Sequence, residues 1–154
     1  MARLAAVQAL YQAEITGQRP AAVVLEFHKH RRGEVIDGVS FQDLDEDLFN
    51  ELVVAVSQEP EALDALLSQA LSADWPVGRL ERLLRIILRL GAYELRSRPK
   101  VPVGVIINEC LDLAHAFYDG KEPGMVNGVL DRLAKTLRRP EAAAGGEARR
   151  AGRG

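Results

Sequence analysis

The chain of 154 residues contains one cysteine, Cys110, and that scarcity closes off several chemistries at once. A lone thiol forms no intramolecular disulfide, and no cysteine cluster exists to hold zinc or an iron–sulfur centre, so the reducing cytoplasm is the expected compartment. Aromatic residues are also scarce, at 5% of the sequence against 47% hydrophobic residues in all. A core must then be built from Leu, Val, Ile and Ala, which favours helix-on-helix packing over a β-sandwich. No apolar run approaches the roughly twenty residues that cross a bilayer, and the N-terminus lacks the charged start and unbroken apolar centre of a signal peptide, so no membrane partner is expected. Missing too are a Gly-rich phosphate loop, a G-x-S-x-G elbow and a Cys/His pair with an orienting neighbour. Glu26 and His30 stand four residues apart, but two ligands without a third read as a surface charge pair. The expectation is a protein that is not an enzyme and holds neither metal nor cofactor.

What is present is charge with a gradient and helix periodicity throughout. Residues 1–71 carry 5 Lys/Arg against 12 Asp/Glu, residues 72–137 carry 10 against 8, and residues 138–154 carry 5 against 2. An anionic partner should prefer the C-terminal part. Helices are expected at residues 2–15, closed by Gly17, and at 21–31. Residues 33–42 read as a loop. Asp43 with Glu46 makes a capping-box-like start to a helix whose buried face is Leu48, Leu52, Val53 and Val56. Residues 62–71 follow after Pro60. Trp75-Pro76 introduces the longest helix, about residues 77–97, ended by Pro99. The last helices lie near 102–118, where Pro102 sits at the start and Val105, Ile106, Glu109, Leu113 and Ala116 trace a buried face, and near 123–138. The segment after Pro140 has no large apolar residue and is expected to be disordered over 139–154.

The long helix should be central, because Leu80, Leu83, Leu84, Ile87, Leu90 and Leu95, widened by Ile86 and Leu88, bury most of its circumference. Arg82, Arg85, Arg89 and Arg96 fall along one side of it. An arginine among apolar residues calls for a carboxylate, and Glu109 or Asp131 could serve Arg89. Gly91 allows a close helix approach. Asn108 and Asn127 could be buried amides fixing helix register, and Cys110 reads as a packed, inert thiol.

Four blocks, ARLAAVQALY at 2–11, ILRLGAYEL at 87–95, VPVGVIINE at 101–109 and MVNGVLD at 125–131, resemble the successive blocks of the NusB family in order and spacing. The resemblance implies an all-α fold, a compact helical bundle of about seven helices in two subdomains of three to four helices, near 1–73 and 74–138. It also implies transcription antitermination in support of ribosomal RNA synthesis. Its partners would be boxA RNA, the small-ribosomal-subunit protein NusE, other Nus factors and RNA polymerase. An alternative is a NusB-like protein-interaction domain with little RNA affinity that self-associates.

Carried over by position, the resemblance implies RNA contacts at Arg3 and Gln8, and at Lys121, Met125 and Asn127 at the opening of the last helix. Tyr11 matches a tyrosine that meets NusE. Three departures stand out. The arginines that precede Arg3 in relatives have no counterpart after Met1, Met125 replaces the usual phenylalanine, and Leu84 stands where many relatives carry an acid that helps meet NusE. On the residues alone, Arg3 and Gln8 would be helix surface, Tyr11 a core-edge aromatic with a wet hydroxyl, and Met125 an adaptable filler.

Overall fold

A computed structural model describes residues 1–30, 35–36, 39–40, 45–72 and 74–138. Among these the protein is all-α, with seven α-helices: α1 (Ala2–Thr16), α2 (Pro20–His30), α3 (Glu46–Gln58), α4 (Pro60–Ala70), α5 (Arg82–Ser97), α6 (Val103–Phe117) and α7 (Glu122–Leu137). The 33–42 stretch, expected as loop, carries a minimal antiparallel pair, β1 (Val35–Ile36) with β2 (Val39–Ser40). Two residues per strand leave the fold class unchanged. The chain divides into two compact units, Met1–Pro60 and Glu61–Gly154. The tail expected at 139–154 lies outside the described residues.

In the first unit α1 packs on α3, and α2 touches both. The buried residues of α1 are mostly small, Ala2, Ala5, Ala6, Ala9 and Ala13 with Val7 and Leu10. Alanine is the best helix former and lets a neighbouring backbone approach closely. Gly17 ends the helix in the left-handed conformation, φ 73°, its N–H bonding to the Ala13 carbonyl, a role that glycine fills without a Cβ penalty. Gln12 and Gln18 both donate to the Glu26 carboxylate and so tie the α1 end to α2. The start of α3 differs from the expected one. Asp45 is the N-cap, accepting from the Leu48 N–H at 3.1 Å, while Asp43 lies outside the described residues. Phe49, Leu52, Val53 and Val56 are buried along α3, and Phe27 of α2 lies against Phe49, ring centroids 5.4 Å apart.

The second unit is organised by α5, which carries eleven buried residues. Its start is later than sequence suggests. Trp75-Pro76 leads into a 3₁₀ turn, Val77–Arg79, after which Leu80 and Glu81 are extended. Helix resumes at Arg82, where the Glu81 carboxylate accepts from the Leu84 N–H. Gly91 is a contact point: a Cβ there would lie 2.8 Å from one Leu130 methyl carbon and 3.1 Å from the Cys110 sulfur, so α6 and α7 both press on α5 at this position. Cys110 is fully buried, as expected.

Three arginines hold this unit together. Arg89, 8% exposed, forms a two-point pair with Asp64 of α4, Nε to Oδ1 and Nη2 to Oδ2 both at 2.8 Å. The expected partners Glu109 and Asp131 are not used; Asp131 pairs with Lys135 one turn on. A planar guanidinium matches a carboxylate by that fork geometry. Arg132 donates to the Ala70 carbonyl at 2.8 Å, joining α7 to the end of α4. Arg138, at 4% exposure, donates to the carbonyls of Leu95, Glu94, Arg98, Pro99 and Val101. One side chain thereby satisfies the orphan carbonyls at the α5 C-terminus and in the turn to α6.

The α6 face is rotated from the expected one. Ile106, Ile107, Cys110, Leu113 and Ala114 are buried, whereas Val105 and Ala116 are exposed and Glu109 is half-buried. The apolar residues of this helix form two overlapping stripes, and contact with α5 and α7 selects one. Asn108 and Asn127 are exposed and fix no buried register.

Candidate nucleic-acid interface

In the first unit, α1 presents Arg3, Gln8 and Tyr11. Arg3 is half-buried in the first turn and is held by an interaction of its own. Gln8 is half-buried too, and Tyr11, three residues on, is 36% exposed. Residues three apart on a helix are neighbours, so Gln8 and Tyr11 share a face. Ile15, one turn beyond Tyr11, is 53% exposed and extends an apolar edge beside the ring.

In the second unit the opening of α7 carries the other candidates. Lys121 is the N-cap residue and is exposed, and its carbonyl accepts from the Met125 N–H at 3.1 Å. Lys121 and Met125 are thus one turn apart on the same face. Met125 is half-buried and Asn127 is exposed. Two residues past Met125 is roughly 200° round the helix, so Asn127 does not share its face. Pro123 sits in the first turn, where a missing N–H is harmless.

The loop before α7 is anchored to α5. The Tyr118 hydroxyl donates to the Glu81 carboxylate that also caps α5. Burial first, and then the adjoining Glu81 carboxylate, push the Tyr118 phenol well above its ordinary value, so the proton stays on the tyrosine. Beside it a hollow of about 250 Å³ is lined by His115, Ala116, Phe117, Tyr118 and Asp119. A larger one of about 440 Å³ lies before α5, lined by Asp74, Trp75, Pro76, Arg79 and Leu80. Trp75-Pro76 was legible in the sequence as punctuation only.

Other sequence candidates fall away from any site. Arg82, Arg85, Arg89 and Arg96 form no free ridge: Arg85 donates to the Leu80 carbonyl, Arg89 is paired, and Arg96 lies over the Tyr93 ring at 5.9 Å. Leu84 is buried, at 2% exposure. Among the described residues no group of three or more His, Cys, Asp or Glu could hold a metal ion, and Glu26 accepts from glutamines instead. Nor is any described helix long and apolar enough to cross a membrane.

The NusB family model matches residues 1–135. The chain is 47% identical over 138 residues to the transcription antitermination protein NusB of Brucella ovis, covering 90% of this chain and 81% of that protein. Its identity to the corresponding protein of Brucella anthropi is 48% over 138 residues, with 90% and 82% covered. A solved structure of T. maritima NusB superposes with a TM-score of 0.69 at 28% identity, covering 87% of this chain and 88% of that one. The family match takes in α1 and the opening of α7 alike, and the chain belongs to the NusB family.

Proposed function

We propose that this protein is a transcription antitermination factor that binds boxA RNA together with NusE and joins the elongating RNA polymerase with other Nus factors, supporting ribosomal RNA synthesis. The observation that carries this reading is the 47% identity, along 90% of the chain, to a protein named for antitermination. In this reading Arg3 and Lys121 supply phosphate contacts, Gln8 and Asn127 meet base or sugar polar groups, and Met125 lends an apolar surface. Exposure of Lys121 and Asn127 supports their assignment, since an exposed cation at a helix start is available to an anionic strand. Tyr11 is the proposed NusE anchor: its ring is presented beside exposed Ile15, and aromatics with a polar tip are favoured at interfaces.

One observation favours a second reading, an interaction domain with little RNA affinity that self-associates. Met125, half-buried, offers no aromatic face for a base, an interaction worth about 1–3 kcal/mol where present. The two readings separate in one titration of labelled boxA RNA, with a scrambled RNA as control, in the presence and absence of NusE. The first expects weak binding by this chain alone and selective, tighter binding with NusE, because a partner that orders a joint surface couples the two events. Equal binding of scrambled and boxA RNA in both conditions would overturn it in favour of the second.

A further inference from the structure

The hollow before α5 has a mostly polar lining that includes two open charges and one aromatic residue. Trp75, half-buried, and Leu80 give it apolar surface, and Asp74 and Arg79 are exposed at its edge. Neither the Asp74 carboxylate nor the Arg79 guanidinium has a hydrogen-bond or ion-pair partner among the described residues. That separates them from Arg85 and Arg89, which are spent on carbonyl and carboxylate partners. The volume of about 440 Å³ falls within the roughly 300–1,000 Å³ of small-ligand pockets.

The Tyr118–Glu81 hydrogen bond joins the residue that follows the hollow to the end of α6. Glu81 follows Arg79 by two residues, and Tyr118 precedes Lys121 by three. The connections of α5 to α6 and of α6 to α7 are short, which makes these helices antiparallel neighbours. The start of α5, the end of α6 and the start of α7 therefore lie at one end of the second unit. Residues 74–80 lead directly into α5, so the hollow belongs to that same end of the unit.

We propose that the hollow formed by Asp74, Trp75, Arg79 and Leu80 binds one nucleotide of single-stranded RNA outside boxA, a subsite continuous with the α7 contact. The base stacks on the Trp75 indole, which accepts any base because every base has a π-face. Arg79 meets the flanking phosphate as a fork of donors. Asp74 accepts from an exocyclic amine, which favours adenine, cytosine or guanine over uracil. The inference rests on the RNA-binding reading and adds a site to it.

Trp75 is the only tryptophan in the chain, so its fluorescence reports on the hollow directly. The experiment uses the full chain saturated with NusE, titrated with a boxA oligonucleotide and with the same oligonucleotide extended at either end by adenosines. Labelled-RNA anisotropy is followed in parallel, and the Trp75→Phe chain provides the blank for emission from NusE. Quenching of Trp75 by an extended RNA, with little by boxA alone, is expected. Arg79→Gln should lower the salt-dependence slope for the extended RNA by about 0.7, one phosphate contact, and leave that for boxA unchanged. Trp75→Ala should weaken the extended RNA on the order of tenfold or more; Arg79→Gln, at an exposed position, keeps the test valid if that variant melts early. Tight boxA binding with Trp75 emission unchanged by every RNA would overturn the subsite and leave the proposed function standing. Emission that responds to NusE and not to RNA would assign the hollow to protein contact and overturn it as well. Absence of RNA binding by anisotropy would remove the function and the subsite together.

Discussion

The two units of this protein are held by different means. The first relies on small side chains: α1 buries five alanines, and its polar ties sit at the helix end, where Gln12 and Gln18 meet Glu26. The second relies on large aliphatic residues of α5 and on arginines, Arg89 and Arg138 buried and Arg132 at the surface, that reach across helices to Asp64, to the carbonyls that close α5 and to Ala70. The difference bears on function. Candidate residues on α1 ride on a regular helix surface, whereas those near Lys121 depend on loops whose position is set by Glu81 and Tyr118. Core damage in the second unit should therefore disturb RNA binding along with stability, and surface changes on α1 should alter binding alone.

The largest effect is expected at Arg138. Arg138→Ala removes a buried cation from five carbonyls, and truncations of that kind cost about 3–5 kcal/mol. A denaturant midpoint equal to that of the parent would show that the carbonyl cluster finds water at no cost. Arg89→Ala comes next. It strands Asp64, whose side chain is 25% exposed, so solvent should hold the destabilisation to about 2–3 kcal/mol, below that of a fully buried pair. A double-mutant cycle with Asp64→Ala isolates the pair from the packing of the arginine stem. Gly91→Ala should cost about 1–2 kcal/mol, because overpacking against Leu130 and Cys110 outweighs the roughly 1 kcal/mol gained in helix propensity. A Gly91→Ala chain more stable than the parent would mean that Leu130 shifts freely.

A smaller effect concerns pH. The Tyr118 phenol is raised above its usual value near 10 by burial and then by Glu81. A group with a raised folded pKa stabilises fully below its unfolded pKa, and that contribution is lost as pH rises through the folded value. Stability of the parent should therefore fall on the alkaline side of pH 10, and Tyr118→Phe should flatten that limb in thermal melts taken across it. The smallest change in stability is expected at Tyr11: Tyr11→Ala should leave the melt within about 0.5 kcal/mol of the parent while weakening NusE binding. Calorimetry giving equal NusE affinity for the two proteins would remove Tyr11 from the interface.

Most helix ends were legible because prolines, glycines and acidic caps act through the local backbone. Gly17 and Pro102 stand where their chemistry requires. The starts of α3 and α5 differ from those expected: Asp45 is the cap observed at α3, and Glu81 captures the Leu84 N–H only after a 3₁₀ turn. The partner of Arg89 could not be read from periodicity, which says that it faces the interior and leaves open which of several acids arrives there. Asp64, 25 positions earlier, is delivered by the packing of α4. Arg138 was invisible for a related reason, since its partners are carbonyls and a sequence does not show which carbonyls lack donors. Of the candidate site, the exposed positions Tyr11, Lys121 and Asn127 lie on surfaces that helix periodicity allows, but their roles come from family resemblance and not from spacing.

The central claim is that both the α1 surface and the opening of α7 contact RNA phosphate. The most direct test is the salt dependence of boxA binding with NusE present, measured for the parent, Arg3→Gln, Lys121→Gln and the double variant. Removing one phosphate-binding cation should flatten the log–log slope by about 0.7, and removing both should flatten it by twice as much. Slopes unchanged in all three variants, with boxA still bound, would contradict the claim.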